Sequence, residues 1–545
     1  MSETSDFMEK VTVFETATGM PVKPYYMPSD VKGGQEEKIG VPGSFPFTRG
    51  AFPEIYRTRL WTRRVLCGFG TPSDTNQRLK YLIQHGERGV SVVPDILTLM
   101  GFDADHPMST NESGAMGAPF SSLADMEEML AGLDLGSLGI SFHTPWISAA
   151  MNQAQFVVAA QKMGYSLDAV RGSMQNNFLD VFTCGGDRTS PLDMGLRLCL
   201  DIIEDSVKNM KHWYPINLNA YDIGEHGAAP HEELGYVLGM AVTYVDGLLA
   251  RGLPIDDFAP RLSFSLSAGM DFFESIAKMR ALRRMWATMM RDRWGAKKEK
   301  SMKAMMSVHT AGSSLVAQQP LNNITRGTIE ALAAALGGCQ ALDICCYDEP
   351  LSLPTEASSR VALATQYIIA QEAGVCAVTD PLGGSYYVEA LTDGIEEKAF
   401  ALLKEIEDAG GMPELIRTGK YQAALEAANY AKYSKVMDGS RPVIGVNHFV
   451  VPPEEDFQVP IHRNPPESAR QHSAAVAKLR KDRDNAKVRE TLIELRKQAA
   501  TKVNLMPALI EATRAYATVG ECVGVIRQAY GLAYDPFGMT QSPID

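Results

Sequence analysis

Cysteine is scarce in this chain, with eight in 545 residues, and the only close pair, Cys345 and Cys346, is adjacent in sequence, which is poor geometry for a structural disulfide. No C-x-x-C pair occurs and the histidines show no zinc spacing, so no structural metal is expected. Long apolar runs are missing too. By eye none approaches the roughly 18 residues needed to span a bilayer, and the polar start Met1-Ser2-Glu3 lacks the basic and apolar regions of a secretory leader. A soluble, cytoplasmic protein is the expectation. Positive charge is in deficit: 52 Lys and Arg stand against 65 Asp and Glu, a net charge of -13. That argues against duplex nucleic acid as a partner, yet leaves phosphorylated ligands open wherever a few arginines converge. No internal repeat or low-complexity segment is evident, which sets solenoids aside.

What is present is alternation. Residues 1–45 are rich in Gly, Pro and charge and have too few apolar repeats for a core, so they are expected to form an arm lying on something else. From 46 to 400, strand-like runs (Gly89–Val93, Leu138–Phe142, Ile216–Asn219, Arg261–Leu266, Met305–His309) alternate with helical ones. This is the βα pattern of a parallel barrel, with an open doubly wound sheet as the alternative. In Met270–Met290 a basic face (Lys278, Arg280, Arg283, Arg284) opposes Phe272, Phe273, Ile276 and Leu282. Beyond 400 the spacing predicts helices over 400–409 and 421–432, a strand over 442–447, a proline-marked linker, a charged helical stretch over 468–501 and a more apolar helical pair over 504–531. The region 401–545 is expected to be a helical extension with surface for a partner.

Several segments carry candidate chemistry. In Arg360–Glu389 apolar residues at helical spacing run into Asp380-Pro381-Leu382-Gly383-Gly384-Ser385, after which Tyr386-Tyr387-Val388 resume as an extended run, so the segment reads as helix, loop and strand. Phe45–Gly50 and Tyr56–Arg64 set several arginines beside aromatics, suited either to forked phosphate contacts or to a solvated strand. Gly68-Phe69-Gly70-Thr71 lacks the spacing of a dinucleotide loop and is expected to be a turn leading to a helix capped at Ser73 or Asp74. Cys345 and Cys346 fit small core residues better than catalytic thiols.

The 360–389 stretch closely resembles the signature of the methylmalonyl-CoA mutase family, the adenosylcobalamin-dependent acyl-CoA mutases, in which R-I/V-A-x-x-T-Q, Q/E-E and D-P-x-G-G-S-Y recur in order. The resemblance covers roughly residues 38–450 and runs more weakly into the terminal helices. It implies a (β/α)8 TIM barrel with an N-terminal arm and a C-terminal helical extension, coenzyme A along the barrel axis, cobalamin on the strand carboxyl ends, and radical chemistry that the protein shields. Phe45-Pro46-Phe47-Thr48-Arg49-Gly50, Arg59-Leu60-Trp61-Thr62-Arg63-Arg64 and Phe258-Ala259-Pro260-Arg261-Leu262-Ser263-Phe264 are similar to P-F-T-R-G, R-x-W-T-x-R and F-A-P-R-L-S-F, which assigns Arg59 and Arg261 to coenzyme A. The substrate or coenzyme A set further includes Ser263, Ser91, Ser173 and Asn217.

Departures from the family pattern are as informative. Leu66 stands where methylmalonyl-CoA mutases have a tyrosine over the substrate, and Gly185 where they carry an arginine for the substrate's free carboxylate. An unpaired buried carboxylate is costly, so dicarboxylic acyl groups are disfavoured unless Arg188 reaches in. Gln175 matches a residue near the thioester. Tyr221 and Glu225 are kept, but Asp222 replaces the histidine that polarises the thioester carbonyl, and an ionised aspartate can only accept a hydrogen bond. Either Asp222 is protonated or it binds a donor on a different substrate; His226 on the following turn is the alternative donor. His309, Gln340, Cys345 and Glu349 overlay the segments facing cobalamin and the deoxyadenosyl group, where Gln340 and Glu349 survive while Ser307, His309, Asp343 and Cys345 differ.

No D-x-H-x-x-G motif of a cobalamin domain occurs, so a separate small cobalamin-binding subunit is implied, with a dimer of heterodimers as the expected assembly. Val93, followed by Pro94, occupies the position of the acid that binds the substrate hydroxyl in the hydroxyisobutyryl branch. The expectation is a third kind of mutase, rearranging the carbon skeleton of a non-dicarboxylic acyl-CoA. The alternative is a non-catalytic paralogue that keeps the barrel for assembly or ligand binding.

Overall fold

The computed structural model describes residues 15–109, 111–183, 189–465 and 467–545. The strands are β1 (Thr62–Arg64), β2 (Leu66–Cys67), β3 (Gly89–Val92), β4 (Gly139–Phe142), β5 (Arg171–Met174), β6 (His212–Tyr214), β7 (Ile216–Asn219), β8 (Leu262–Ala268), β9 (Met305–Thr310) and β10 (Ala341–Asp343). The helices needed below are α1 (Pro72–Gln84), α2 (Tyr221–Glu225), α3 (Pro230–Ala250), α4 (Phe272–Thr288), α5 (Glu356–Gln371), α6 (Tyr386–Asp408), α7 (Lys420–Met437), α8 (Ser468–Asp482), α9 (Asn485–Ala499), α10 (Met506–Arg514) and α11 (Val519–Ala529).

Two five-stranded sheets result, ordered β1-β10-β9-β8-β7 and β2-β3-β4-β5-β6. Pairing is parallel between β9 and β10 and at each step from β2 to β6. Each of the five strand expectations lies on an observed strand, because short, largely apolar runs bounded by turn residues suit buried parallel strands. This strand and helix alternation is of the (β/α)8 type. The chain divides into two compact units: one holds the described residues up to Thr62, Asn219–Thr243 and Phe264–His462, and the other Arg63–Leu218, Tyr244–Ser263 and Arg463–Asp545.

In the first unit, residues from 15 on lie along α4 and α6, with Glu274 accepting the backbone N–H of Ala17 at 2.8 Å and of Thr18 at 3.2 Å. The basic face of α4 is buried. Lys278, Arg280, Arg283 and Arg284 are at most 3% exposed. Arg280 pairs with both Asp380 and Glu389, Lys278 with Glu233, and Arg284 with Asp393 at 2.7 Å. Arg283 donates to the carbonyls of Gly337 at 2.6 Å and Thr48 at 2.8 Å, and burial pushes its pKa down to about 10.

The 360–389 stretch is thereby explained as framework. Gln366 accepts from the indole N–H of Trp61 at 3.0 Å, Asp380 accepts from Arg49 at 3.1 Å, and a Cβ on Gly383 would stand 2.5 Å from Asp380 Oδ2. The strand expected at Tyr386–Val388 is instead the first turn of α6, a 23-residue helix. Its local β preference yields to the 3.6-residue apolar period that follows, which buries Val388, Leu391, Ile395, Ala399 and Leu403. The strand expected over 442–447 is also absent: Ile444 makes one isolated bridge, to His448, in a turn closed by Asn447.

α3 corrects the reading that no segment is long and apolar enough to cross a membrane, since it meets that length and composition, but two-thirds of its apolar stretch (67%) is buried as a core helix. In the second unit, α1 is capped at Thr71, two residues before Ser73 and three before Asp74, the expected caps. Thr71 accepts from Asp74 N at 3.2 Å while Asp74 accepts from Thr71 N at 2.8 Å, with Pro72 opening the helix. The core here stacks Phe156 on Trp213 at 4.8 Å. The helices α8 to α11 follow the linker as expected. His472 on α8 is enclosed between Ser113 Oγ at 2.8 Å and Asp125 Oδ1 at 3.0 Å. Burial opposes its charge, but Asp125 outweighs that and its pKa is raised.

Candidate functional site

The second unit aligns five residues, Leu66, Ser91 and Ser173 with their neighbours Ser141 and Tyr214, by register. Parallel pairing sets Leu66 opposite Ser91, Ser91 opposite Ser141, Ser141 opposite Ser173 and Ser173 opposite Tyr214, one row across β2 to β6. Residues in one row of a parallel sheet share a face. Ser141 and Ser173 are joined Oγ to Oγ at 2.7 Å, and Ser91 is fully buried with no hydrogen-bond partner for its Oγ among the described residues. The row carries hydroxyls and one aliphatic side chain and no cation.

Close backbone packing permits this. A Cβ on Gly172 would stand 1.8 Å from the Ile140 carbonyl, and one on Gly68 2.4 Å from the Val93 carbonyl, so β4, β5 and the turn after β2 approach at distances open only to glycine. One residue beyond β4, His143 Nδ1 meets Gln175 Oε1 at 2.8 Å. The amide oxygen accepts, so Nδ1 carries the hydrogen and the Gln175 amide keeps its own N–H groups as donors.

At the amino end of β8, Arg261 is half-buried and donates to the carbonyls of Met210 at 3.1 Å and Trp213 at 3.0 Å, burial lowering its pKa. Ser263 donates to Ile216 O at 3.1 Å, and Asn217 is half-buried on β7. Gly185 and Arg188 lie outside the described residues.

The first unit gathers the other candidates at the carboxyl ends of β7, β9 and β10. Tyr221 and His309 have ring centroids 5.0 Å apart, and Tyr221 Oη lies 3.8 Å from Cys345 Sγ and 3.4 Å from Gly312 N. His309 Nε2 is 3.7 Å from Asp343 Oδ2, in register on adjacent strands. Asp222 Oδ2 accepts from the Asn219 side-chain amide at 2.8 Å, which gives a carboxylate the donor it needs. His226 Nδ1 turns back to the Asp222 carbonyl at 2.9 Å, so its δ-nitrogen serves the helix end.

Three glutamates crowd the same place. Burial raises Glu349 to about 7, Glu330 well above its usual range, and Glu225 more modestly. Ser313 N donates to Glu225 at 2.7 Å and Ala311 N to Glu330 at 3.1 Å. Cys345 Sγ donates to Thr310 O at 3.1 Å, and burial pushes its thiol pKa well up, which fits a packed thiol rather than a nucleophile. Gln340 is spent on backbone, accepting from Met306 N at 2.8 Å and donating to Gly338 O at 2.9 Å. Arg59, just before β1, is exposed.

A family model described as methylmalonyl-CoA mutase matches residues 15–532. The chain belongs to that family. It is 41% identical over 527 residues to the 2-hydroxyisobutanoyl-CoA mutase large subunit of Aquincola tertiaricarbonis, covering 96% of this chain and 93% of that one. It is 36% identical to a probable mitochondrial methylmalonyl-CoA mutase of Caenorhabditis elegans, over 95% of this chain and 69% of the relative. It is 34% identical to the methylmalonyl-CoA mutase of Escherichia coli K12, over 96% and 72%. Membership makes the chain an isomerase, an acyl-CoA mutase of a cobalamin-dependent family.

The described residues fit such a cofactor's adenosyl group. A Cβ on Gly312 would stand 3.2 Å from Glu225 Oε2 and 3.4 Å from Tyr221 Oη, so glycine keeps the approach to both open. Glu349, pushed up to about 7 by burial, can donate as well as accept, which suits a neutral, hydroxyl-bearing ligand. Sequence reasoning missed Ser141, His143, Tyr214 and Glu330. Register with Ser91 and Ser173 is the signal that finds Ser141; for Glu330, buried on a helix flanking β9, no local pattern exists.

Proposed function

We propose that this chain is the catalytic large subunit of an adenosylcobalamin-dependent mutase that rearranges the carbon skeleton of an acyl-CoA with an uncharged acyl group, distinct from methylmalonyl-CoA and from the hydroxylated substrate named for its relative. The observation that carries this reading is the neutral row Leu66, Ser91, Ser141, Ser173 and Tyr214. A free carboxylate set against it would meet no cation in the row, and one buried without a cation costs several kcal/mol. Val93 beyond the row supplies no acid for a substrate hydroxyl.

Adenosylcobalamin supplies the radical chemistry when bound, carried by a small cobalamin-binding subunit in a dimer of heterodimers. Tyr221, His309, Cys345 and Glu349 would face its adenosyl group. The chain's own work is positioning. Asp222 uses Oδ2 to accept from Asn219, and polarising the thioester is assigned to a neutral donor instead. That task falls to the Gln175 amide, fixed by His143. Arg59 in the first unit and Arg261 in the second each stand at a strand amino end as candidates for coenzyme A phosphates, and the buried carboxyls and thiol exclude water from reactive carbon.

The test combines the purified chain, the small cobalamin-binding subunit encoded beside its gene and adenosylcobalamin, offers short branched acyl-CoAs and methylmalonyl-CoA, and resolves isomers by chromatography and mass spectrometry. Isomerisation of a neutral acyl-CoA with none of methylmalonyl-CoA is expected. Turnover of methylmalonyl-CoA alone overturns the assignment, and turnover of nothing returns the non-catalytic paralogue.

A further inference from the structure

β9 runs into a short turn that faces the first-unit site. After Ala311, Gly312–Ser314 makes a single 3-10 turn. Ser313 N donates to Glu225 Oε2 at 2.7 Å and Ser313 Oγ to Glu225 Oε1 at 3.2 Å, while Gly312 N lies 3.4 Å from Tyr221 Oη. The turn's own hydrogen bonds are local ones: Ser314 N and Ser314 Oγ donate to Ala311 O at 3.2 and 2.7 Å, and Leu315 N to Gly312 O at 3.0 Å. So short a piece of 3-10 backbone is weakly held by itself. Where Gly312 stands is therefore set from outside the turn.

The support comes from the helix Asn322–Gly337, whose Gly327 packs against the end of β10: a Cβ there would stand 3.3 Å from Ile344 Cγ2. Glu330, three residues on and so on the same face, is fully buried. Its Oε2 accepts from Ala311 N at 3.1 Å, sharing that N–H with the carbonyl of Ala268 at 2.9 Å, and the Ser314 hydroxyl lies beside the same carboxyl. One side chain thus reaches both ends of the turn.

An ionised carboxylate in that place would be poorly compensated. Arg326, one turn earlier on the same helix, directs its guanidinium to Asn323 Oδ1 and Ile444 O, each at 2.7 Å. Lys432, the cation on α7, reaches Ser313 Oγ at 3.3 Å rather than Glu330. The groups that face Glu330 from α2 and from the end of β10 are the carboxyl of Glu225 and the buried thiol of Cys345. Burial is the largest influence on Glu330 and pushes its pKa well above the carboxylate range; Glu225 acts in the same direction, and Ser314 and Arg326 oppose it. Two charged glutamates on either side of one turn would repel each other, and an uncharged Glu330 removes that repulsion while still accepting from Ala311.

We propose that Glu330 is a positioning residue: as an uncharged acceptor, touching no ligand itself, it fixes the Ala311–Ser314 turn so that Gly312 stays open beside Tyr221 and Glu225. This deepens the mutase reading above, in which that face takes the adenosyl group, and rests on it.

The experiment compares the full chain with Glu330→Gln, which keeps an uncharged acceptor of the same shape, and with Glu330→Met, which keeps the volume and accepts nothing. Hydrogen exchange by mass spectrometry on each chain alone follows peptides covering 305–315. Turnover is measured with the small cobalamin-binding subunit, adenosylcobalamin and the acyl-CoA that the unaltered chain isomerises. Glu330→Gln is expected to keep both exchange and kcat within about twofold. Glu330→Met is expected to speed exchange in that segment about tenfold, with α4 unchanged, and to lower kcat about 10–100-fold while the KM for acyl-CoA stays within about threefold. A methionine variant whose exchange there is unaltered overturns the proposal. So does a glutamine variant that loosens the turn as much as methionine does, because the charge would then be what holds it. Should the methionine variant fail to fold, the glutamine variant decides alone: retained protection and kcat uphold the proposal, and their loss overturns it. No turnover by the unaltered chain overturns the mutase reading, and the exchange result still decides whether Glu330 holds the turn.

Discussion

α4 and α7 invert the usual rule in opposite directions. α4 buries four cations and α7 exposes two tyrosines and a methionine. The cations of α4 are inside because acids and carbonyls wait for them on α6, at Asp380 and at Thr48, and the apolar residues of α7 are outside because no described residue covers them. Residue type alone does not set burial; the partner does.

The largest break in this comparison comes from α4. Arg280→Ala leaves Glu389 buried without its cation and Asp380 with Arg49 alone, and urea unfolding is expected to show a loss of about 3–5 kcal/mol. Arg280→Lys should recover only part of it, since one ammonium cannot fork between two acids. Next is Glu349→Gln. With its pKa raised by burial to about 7, Glu349 binds a proton in the folded chain that the unfolded chain releases near 4.5. The native state therefore loses stability as pH rises from 4.5 through 7, by about 2–3 kcal/mol, and the glutamine variant should flatten that slope in thermal unfolding followed across pH.

Gly383→Ala is expected to cost about 1–3 kcal/mol, because the new methyl meets Asp380 Oδ2 at 2.5 Å and Arg49 Nε at 2.9 Å. The smallest effect belongs to α7. Tyr430→Ser and Met437→Ser should shift the chain's own stability by no more than about 0.5 kcal/mol. A large loss there would mean that α7 is packed rather than waiting, and the contrast with α4 would fall.

The sequence was most legible where local and global preferences agree. Gly89–Val93 and Met305–His309 are short, largely apolar and bounded, and they form strands where expected. It misled at Tyr386-Tyr387-Val388, where three strand-forming residues open a helix whose apolar period lies wholly downstream. In the site, single positions such as Tyr221, Gln175 and Glu349 were visible through the family pattern, but Ser141 and Glu330 belong to register and burial, which appear only once strands are aligned. The near-intact 360–389 segment turned out to hold framework ion pairs, so its retention speaks for the fold, whereas the departures from the family pattern at Leu66, Asp222 and Cys345 lie outside it.

The pairing of His472 with Ser113 and Asp125 bears on how the chain is made. A serine and an aspartate from early in synthesis remain buried without their imidazole until α8, more than three hundred residues later, has been added. The second unit is assembled from residues 63–218, 244–263 and 463–545, so its interior hydrogen bonding cannot be completed while the chain's end is still in the ribosome. Truncation within the proline-marked linker should yield insoluble protein rather than a smaller enzyme.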